Sequence, residues 1–482
     1  MLIGTTALTG LLGEWRVGGH AHANLAAKLE VLLLDGRVAS GTRLPAEREM
    51  AKALGVSRTT IVSAYRVLRE KSILRSIQGS GSVLELPSVP RRRDPAPLDL
   101  DLSKAVPRAW HELPDLSARA LQRLPHHLSH AGIDFFGLPD LRVAIARRYT
   151  ERGAPTSPEN ILVTLGAQHA IALVARTLLG RGDRVVVESP SYPHALDAFL
   201  AAGARLIASP LDSRAEASLE NGASTYDTDQ LVDTLRGARP ALAYLMPDFQ
   251  NPTGASLDDD ERLRILRAAA QTGTPLLIDE TTADLDIDRP FAATPFAAVP
   301  HHGATVITVG SLSKTVWSGL RIGWIRADRH LIERLALARP AGDMGNAVIE
   351  QLVAQEAIGD LPRILESRRD ELRHGRDHAT TLLRSLVPEW HVPAIDGGLA
   401  LWVHLGAPLS SALVQAGRAR GVTVTAGSRF GIDGAFERRV RIPITADETT
   451  MTEGLTRLAD AWTAVRSGGH AGRSLSDPAF VA

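Results

Sequence analysis

A lysine flanked by two serines and an arginine is the group of residues in this sequence with the clearest chemical potential. Lys314 follows an apolar run over residues 304–309 that is typical of a buried strand. Ser311 and Ser313 precede the lysine, and Arg321 follows it. A desolvated lysine amine can form a Schiff base, and hydroxyls together with a guanidinium can hold a phosphate. The segment therefore predicts a site for a phosphorylated carbonyl cofactor bound through Lys314.

The distribution of lysine supports this choice. Lys314 is the only lysine from position 105 to the end of the chain, where arginine is otherwise used in its place. Arginine stays protonated and cannot form an imine, whereas a desolvated lysine can. A single lysine could also have remained by chance, so the flanking residues carry most of the weight.

Composition limits the class of protein. The chain has 482 residues and no cysteine, which allows two to four domains and excludes disulfides and thiolate zinc sites. No apolar run reaches membrane-spanning length, and the N-terminus lacks the basic start and apolar stretch of a signal peptide. We therefore expect a cytoplasmic protein.

Positive charge is concentrated near the N-terminus. Residues 1–93 hold 14 Lys and Arg against 7 Asp and Glu, although the whole chain carries 54 of each kind. A basic segment on an acidic remainder predicts a polyanionic partner for the N-terminal part.

The spacing of apolar residues predicts a small domain over residues 21–86. A first helix is expected over Ala21–Leu34 and a second from Pro45 onward. Ser57 is a suitable N-cap for a third helix that ends at Glu70. Residues 73–83 then have the pattern of a β-hairpin.

The second and third helices, joined by a short glycine-containing turn, form a helix-turn-helix arrangement. The first residues of the third helix would enter the major groove, where Arg58 can reach a guanine edge. The hairpin tip suits the phosphate backbone. A three-helix packing module without DNA binding would show the same spacing and stays the alternative. The residues expected to bind DNA are Arg43, Glu47, Arg48, Ser57, Arg58, Thr59, Thr60, Tyr65, Arg75, Gly79, Ser80 and Gly81.

Three short motifs favour the DNA-binding helix-turn-helix over the packing module. They are LPAERE at 44–49, LGVSRTT at 54–60 and QGSG at 78–81. Together they closely resemble the winged-helix domain of GntR-type bacterial regulators. The resemblance implies a double-stranded DNA operator as the partner.

Proline and arginine mark the end of this domain. Residues 87–100 are expected to form a semi-rigid linker, because its prolines cannot donate backbone hydrogen bonds. The arginines at 91–93 either contact phosphates or are simply solvated. At the two ends of the chain we expect a flexible arm over residues 1–20, in which one short helix is an open alternative, and a disordered tail over residues 466–482.

Residues 101–465 alternate short apolar runs with helical stretches. This alternation predicts an α/β domain with a mostly parallel sheet covered on both faces. Ligands of such sheets bind beyond the carboxyl ends of the strands, which is where the candidate residues fall. The apolar runs lie at 161–164, 184–187, 205–208, 241–246, 275–278 and 305–309.

Further candidate residues follow several of these strands. A helix opens with Gly166, Ala167 and Gln168, and its backbone amides suit a phosphate. Asp279 ends a buried strand, where a carboxylate needs a partner. Tyr192 and Asn251 lie in loops and, taken alone, are also consistent with a core tyrosine and a capping asparagine in a Pro-Gly turn.

The lysine segment, Asp279 and the motif Asn251-Pro-Thr-Gly resemble the cofactor site of pyridoxal-phosphate proteins with the aspartate aminotransferase fold, fold type I. The resemblance implies pyridoxal 5'-phosphate as the cofactor and Lys314 as its Schiff-base lysine. It implies that Tyr192 stacks on the pyridine ring, that Asn251 lies beside its phenolic oxygen and that Asp279 contacts its nitrogen. No metal is expected. The full expected cofactor set is Gly166, Ala167, Gln168, Tyr192, Asn251, Asp279, Ser311, Ser313, Lys314 and Arg321.

Near the C-terminus, the segment Val440-Arg-Ile-Pro resembles the strand that carries the carboxylate-binding arginine in the same fold. Arg441 is therefore expected to bind the carboxylate of an effector. Arg438 and Arg439 lie close by, so the assignment is open by a residue or two.

The two halves together resemble the MocR-type branch of GntR regulators, in which a winged helix is fused to an aminotransferase-like domain. The resemblance implies a homodimer and a domain that senses an amine or amino-acid effector. One position departs from the family, which usually has a tyrosine two or three residues after the pyridine-binding aspartate. Thr281 and Thr282 stand there instead, and a threonine hydroxyl has a shorter reach than a phenol.

The sequence therefore predicts a pyridoxal-phosphate-dependent, DNA-binding transcriptional regulator with at most weak aminotransferase activity. Two alternatives stay open. One is an active aminotransferase with an incidental basic domain, and the other is a regulator that no longer binds the cofactor.

Overall fold

The computed structural model describes residues 2–13, 15–16, 20–34, 36–77, 81–85, 99–211, 226–289, 294–432 and 434–467. The predicted linker from 87 to 98, the wing-tip residues Gly79 and Ser80, and the tail from 468 onward lie outside the described residues. No helix in the described part of the chain is long and apolar enough to cross a membrane.

The chain divides into two compact units. The terminal unit contains residues 1–105, 377–392 and 402–482, and the central unit contains residues 106–376 and 393–401. The domain expected over residues 101–465 is therefore shared between the two units, since its last part belongs with the winged helix.

A winged helix forms the N-terminal part of the terminal unit. Its helices are α1 (Thr5–Leu12), α2 (Ala21–Leu34), α3 (Glu47–Leu54) and α4 (Arg58–Glu70). Its strands β1 (Thr42–Arg43), β2 (Leu74–Ile77) and β3 (Gly81–Leu84) form a sheet in the order β1-β3-β2, and β4 (Leu100–Asp101) follows. The predicted first helix, third helix and hairpin are confirmed.

One difference concerns the N-terminal segment that we expected to be a flexible arm. Its helix α1 places Leu8 and Leu12 on one face, and both side chains are fully buried. They pack in the same apolar cluster as Leu29 and Met50 of the winged helix. Residues 5–12 are therefore part of the domain core, because their apolar face has a surface to cover.

The central unit contains a seven-stranded sheet in the order β5-β11-β10-β9-β8-β6-β7. Strand β11 is antiparallel to both of its neighbours, and the other adjacent pairs are parallel. The predicted mostly parallel sheet is confirmed. The strands are β5 (Ile161–Thr164), β6 (Arg184–Ser189), β7 (Arg205–Pro210), β8 (Leu242–Leu245), β9 (Leu276–Asp279), β10 (Val306–Ser311) and β11 (Gly323–Arg326).

Helices pack against this sheet, and several carry clear end signals. For example, the helix Asp259–Thr272 begins with a capping box between Asp258 and Glu261 and ends at Gly273, which has a left-handed backbone. The helices are α5 (Leu113–Arg123), α6 (Pro139–Glu151), α7 (Ala167–Leu178), α8 (Pro193–Ala201), α9 (Thr228–Ala238), α10 (Asp259–Thr272), α11 (Arg329–Ala338), α12 (Val348–Gly359) and α13 (Leu361–Leu386).

The last part of the chain, residues 402–467, is called here the C-terminal subdomain and belongs to the terminal unit. Its sheet has the order β12-β15-β14, and β13 pairs with β4. Helix α14 packs on α15 and on α2 of the winged helix. The elements are β12 (Ala400–His404), α14 (Ser410–Arg418), β13 (Val422–Thr423), β14 (Thr425–Ala426), β15 (Arg439–Pro443) and α15 (Glu448–Arg466).

Candidate functional site

Five strands of the central sheet end at one edge, and the predicted cofactor residues follow them. Strands β5, β6, β8, β9 and β10 run in the same direction, so their carboxyl ends lie together. Gly166 follows β5, Tyr192 follows β6 and Asn251 follows β8. Asp279 is the last residue of β9, and Lys314 comes three residues after the end of β10.

Asp279 is a buried carboxylate with two defined donors. The Tyr244 hydroxyl donates to its Oδ2 at 2.7 Å, and the Thr281 N–H donates to its Oδ1 at 3.0 Å. Burial raises the pKa of Asp279, while these hydrogen bonds and the positive charge of Lys314 lower it. A buried carboxylate of this kind is stabilised by a nearby cation such as a protonated ring nitrogen.

The loop after β5 has the form of a phosphate cradle. Gly166 precedes α7 with a φ of 89°, and no side chain caps the start of that helix. A Cβ at Gly166 would lie 2.9 Å from Nη2 of Arg321, which donates to the Leu165 carbonyl at 2.7 Å. The positive φ favours glycine at this position, and the absence of a Cβ leaves room for the Arg321 guanidinium beside the start of α7.

The two serines lie on the same side of the sheet as this loop. Ser311 pairs with Gly323 across β10 and β11, and a Cβ at Gly323 would lie 2.7 Å from the backbone of Gly166. The hydroxyls of Ser311 and Ser313 are 2.9 Å apart. The Ser311 hydroxyl also donates to the Ile322 carbonyl at 3.0 Å and can turn toward a ligand. Helix amides, a guanidinium and two hydroxyls form a donor set that fits the phosphate of pyridoxal phosphate.

His169 supports the cradle and was not identified from the sequence. Its Nδ1 accepts a hydrogen bond from the Leu165 N–H at 3.1 Å, and its Nε2 lies 2.9 Å from the Asp343 carboxylate. Burial lowers the pKa of His169, so the neutral ring that this acceptor role requires is favoured. The ring holds the turn that positions Gly166.

The loops of Tyr192 and Asn251 are tied together by a buried glutamine. The Gln250 amide donates to the Glu188 carboxyl at 3.1 Å and to the Pro190 carbonyl at 2.8 Å. The ring of Tyr192 is half-buried and packs edge-on against His194, with centroids 5.5 Å apart. Gln168 donates to the His194 carbonyl at 2.7 Å, so the start of α7 is joined to the same loop.

Glu188 is the centre of this network. Its carboxyl accepts hydrogen bonds from the Met246 N–H at 2.9 Å and the Tyr226 hydroxyl at 2.8 Å, in addition to the one from Gln250. Burial and, to a smaller extent, the nearby charge of Asp279 raise the pKa of Glu188, and these hydrogen bonds lower it. The net result is a pKa of about 7. The site therefore contains a second buried carboxyl behind the one predicted to contact the cofactor.

The position of the missing tyrosine is occupied by a hydroxyl with another partner. Thr282 is buried, and its Oγ1 donates to the Asp248 carbonyl at 2.7 Å. Thr281 contributes its N–H to Asp279. Neither threonine therefore supplies the hydroxyl that the family's tyrosine donates to the phenolic oxygen of the cofactor.

Arg441 lies on β15 in the terminal unit and is fully buried. Its guanidinium donates to the Ser103 carbonyl and lies 5.2 Å from the centre of the Phe430 ring. Arg438 and Arg439 donate to the carbonyls of Gly406 and Trp402. That Arg441 binds an effector carboxylate stays a prediction.

The predicted DNA-reading residues lie at the start of α4. Ser57 accepts a hydrogen bond from the Thr60 N–H at 3.1 Å, which confirms it as the N-cap. The side chain of Arg58 is 58% exposed and lies 3.4 Å from Glu47 on α3. Glu47 is also 3.8 Å from Arg69. Such exposed ion pairs are weak, so the Arg58 guanidinium can leave the Glu47 carboxylate and bind the edge of a DNA base.

The other described residues that were expected to bind DNA lie on β1, α3, α4 and the wing. Arg43, Arg48 and Thr59 are exposed. Arg75 is exposed and pairs with Glu85 at 2.5 Å, and Gly81 begins β3 with a φ of 87°.

The expectation for Tyr65 is wrong. Tyr65 is only 1% exposed, and its hydroxyl donates to the Pro45 carbonyl at 3.3 Å. It therefore lies in the core of the winged helix, because its position on α4 faces α3 and α2.

Some functional residues could not be found by motif. Tyr244 and Glu188 lie within buried strands, where an aromatic or acidic residue among aliphatic ones is the only signal. Arg16 gave no signal at all, yet its guanidinium donates to the carbonyls of Leu54 and Gly55 in the helix-turn-helix turn. These contacts join residues that are distant in sequence.

Comparisons with known proteins agree with this geometry. The family model "Aminotransferase class I and II" matches residues 97–458, and "Bacterial regulatory proteins, gntR family" matches residues 21–84. The chain is 27% identical over 433 residues to the uncharacterised HTH-type transcriptional regulator YdfD of Bacillus subtilis, with 82% of this chain and 87% of that protein covered. It is 28% identical over 309 residues to 2-aminoadipate transaminase of Thermus thermophilus, with 63% and 75% covered.

Among solved structures, LysN, the alpha-aminoadipate aminotransferase of Thermus thermophilus complexed with N-(5'-phosphopyridoxyl)-L-leucine, matches with a TM-score of 0.68 and 25% identity. The match covers 79% of this chain and 96% of that one. The chain therefore belongs to the aminotransferase class I and II family and carries a gntR-family winged helix at its N-terminus, which is the domain order of MocR-type regulators.

Proposed function

We propose that this protein is a homodimeric transcriptional regulator that binds a DNA operator and pyridoxal 5'-phosphate, and that senses an amine or amino-acid effector. The observation that carries the proposal is the combination of two sites in one chain. The central unit keeps Lys314, Asp279 and the Gly166 cradle, and the terminal unit exposes Arg58 at the start of a capped helix. An aminotransferase has no need of the second site.

When bound, pyridoxal phosphate supplies a carbonyl carbon that amines attack and a ring that withdraws electrons. Lys314 would hold that carbon, Asp279 would hold the ring nitrogen, and the Gly166 cradle with Ser311 and Arg321 would hold the phosphate. An effector amine competes with Lys314 for the carbon. Only an effector with different affinities for two arrangements of the protein can then change DNA binding.

Thr282 favours sensing over turnover. Its hydroxyl donates to the Asp248 carbonyl, so it is engaged where the family usually provides a tyrosine for the phenolic oxygen. Binding residues are retained while one proton-handling residue is absent. An active aminotransferase is the second candidate, and the likeness to aminotransferases such as LysN supports it.

One experiment separates the two functions. Purified protein is titrated with a panel of amines and amino acids, including L-2-aminoadipate and hexylamine, while visible absorbance, operator affinity and keto-acid formation are measured. A regulator should show compounds that shift the absorbance and change operator affinity several-fold, consistent with a coupling of about 1–3 kcal/mol. Rapid keto-acid formation with unchanged DNA affinity would instead establish the aminotransferase.

The Thr282→Tyr variant is the matched control in this experiment. If the lost tyrosine limits turnover, this variant should form keto acids faster than the wild type. Its operator affinity without effector should be unchanged.

A further inference from the structure

Helix α2 of the winged helix carries a charge that is buried outside the DNA-reading surface. Lys28 is only 3% exposed, and its amine forms an ion pair with the Glu437 carboxylate, which is 5% exposed. Glu437 lies in the C-terminal subdomain, just before β15. Two charges removed from water in this way are stable only as a pair.

Helix α14 of the same subdomain completes the surroundings of this pair. The Ser411 hydroxyl donates to Oε1 of Glu437 at 2.7 Å, and the Ser411 N–H donates to Oε2 at 3.1 Å. Gln415, one turn further along, donates to the Ala27 carbonyl of α2 at 2.8 Å. Both carboxylate oxygens therefore have donors, and the helix backbone of α2 is also engaged.

A second contact lies at the turn formed by residues 427–430. The Arg37 guanidinium, which follows α2, donates to the Ser428 carbonyl in this turn at 2.7 Å. Phe430 ends the turn and lies under the guanidinium of Arg441. The surface that holds the winged helix is thus continuous with the strand that carries the predicted effector arginine.

We infer that the winged helix is a docked domain rather than a freely tethered one, and that docking on the C-terminal subdomain fixes the spacing of the half-sites that the dimer reads. The inference rests on the proposed function, since it requires a dimer that binds two half-sites. A displacement of a few ångströms would leave Lys28 and Glu437 buried and unpaired, so the docked state cannot shift gradually. Half-site spacing follows from the separation of the two reading helices.

The test is selection of bound sequences from a random duplex library by the full-length protein. The wild type should select two half-sites at one dominant spacing. Lys28→Met should select the same half-site sequence at several spacings, with at least tenfold weaker binding to DNA of the wild-type spacing. The unchanged half-site sequence shows that the winged helix is still folded.

Two further variants make the result specific to the pair. Lys28→Arg should keep the single spacing, because it retains a cation that can pair with the Glu437 carboxylate. Lys104→Met removes a lysine from an exposed pair with Asp101 in the same unit and should leave the spacing unchanged. If Lys28→Met does not fold, Arg37→Met removes the contact to the Ser428 carbonyl and should also relax the spacing.

A single, unchanged spacing in a folded Lys28→Met or Arg37→Met protein would overturn the inference. A wild type that binds half-sites without any preferred spacing would also overturn the inference, but it would still agree with the proposed function as a DNA-binding regulator. A wild type that selects no DNA would contradict the proposed function itself.

Discussion

The cofactor region and the DNA-reading region of this molecule hold their charges in opposite ways. In the central unit, Asp279 and Glu188 are buried, and each accepts hydrogen bonds from fixed donors. In the winged helix, Arg58 and Arg75 are exposed and pair with Glu47 and Glu85. The first region is organised before any ligand arrives, and the second can exchange its partners.

This difference follows from the two ligands. A small cofactor is bound by a few groups whose positions must be set in advance, and a low-dielectric site strengthens each of their interactions. DNA offers phosphates and base edges along a surface, and exposed arginines lose little when they leave a solvated carboxylate. Substitutions in the first region should therefore have larger effects than those in the second.

Lys314→Ala should have the largest effect. Removal of the amine abolishes the covalent link with the cofactor, so the visible absorbance that borohydride reduction destroys in the wild type should be absent. Lys104→Ala is the matched control, because Lys104 is 52% exposed and pairs with Asp101. Peptide mapping after reduction should place the pyridoxyl group on Lys314, and its recovery on any other lysine would show that the site assignment is wrong.

The buried carboxyl of Glu188 should make stability depend on pH. Its pKa of about 7 in the folded protein lies above the unfolded value, so its contribution is fully present below about pH 4 and is lost as the pH rises through 7. The change is of the order of 3 kcal/mol. We expect the free energy of unfolding of the wild type to fall by this amount, relative to Glu188→Gln, between pH 4 and pH 8.

Urea unfolding of both proteins across this range measures the difference. Glu188→Gln keeps the shape of the side chain but cannot titrate, so other groups contribute equally to both proteins. Parallel curves for the two proteins would show that Glu188 stays ionised in the folded state.

The residues of the cofactor site that could be predicted are those that belong to short motifs. Asp279 ends an apolar run, and Asn251 and Lys314 lie in short motifs five residues beyond the runs at 241–246 and 305–309. The parallel sheet then brings the ends of those runs to one edge. The winged helix was equally clear, because Ser57 and Gly55 mark the ends of its helices.

What could not be predicted depends on contacts between distant residues. Tyr65 is the exception, because its spacing with Ile61, Ala64 and Leu68 already indicates the buried face of α4, and the expected DNA contact conflicts with that spacing. The association of residues 402–467 with the winged helix includes the pair of Lys28 and Glu437, which are 409 positions apart. Helical spacing alone also could not show that Leu8 and Leu12 would find a core to cover.

Arg58→Ala tests the exchangeable region. If Arg58 makes a bidentate contact with guanine, its loss should cost about 1–3 kcal/mol at the operator and relax the preference for that base. Arg66→Ala is the control on the same helix, since Arg66 is exposed and pairs only with Glu70 among the ion pairs of the described residues. Operator titrations at two salt concentrations separate base reading from phosphate contact. Equal losses for the two variants would remove Arg58 from the base-reading set.

Tyr244→Phe should have the smallest effect and tests how far the cofactor region is organised in advance. The variant removes the 2.7 Å hydrogen bond to Oδ2 of Asp279 but leaves the Thr281 N–H on Oδ1. Loss of one such donor raises the pKa of Asp279 further and weakens its hold on a protonated ring nitrogen. The expected cost is about 1 kcal/mol, or roughly fivefold weaker cofactor binding.

Tyr149→Phe is a close control for this measurement. The Tyr149 hydroxyl also donates to a buried carboxylate, Oε2 of Glu280 at 3.1 Å, but Glu280 is not among the predicted cofactor residues. Tyr149→Phe should lose at least as much stability to urea, because the Tyr149 hydroxyl also accepts a hydrogen bond from the Trp324 indole at 3.2 Å. Only Tyr244→Phe should weaken the binding of pyridoxal phosphate to the apoprotein, followed by absorbance. If the two variants bind the cofactor equally well, the Tyr244 contact serves the fold alone, and Asp279 is positioned by its backbone and Thr281 without help from β8.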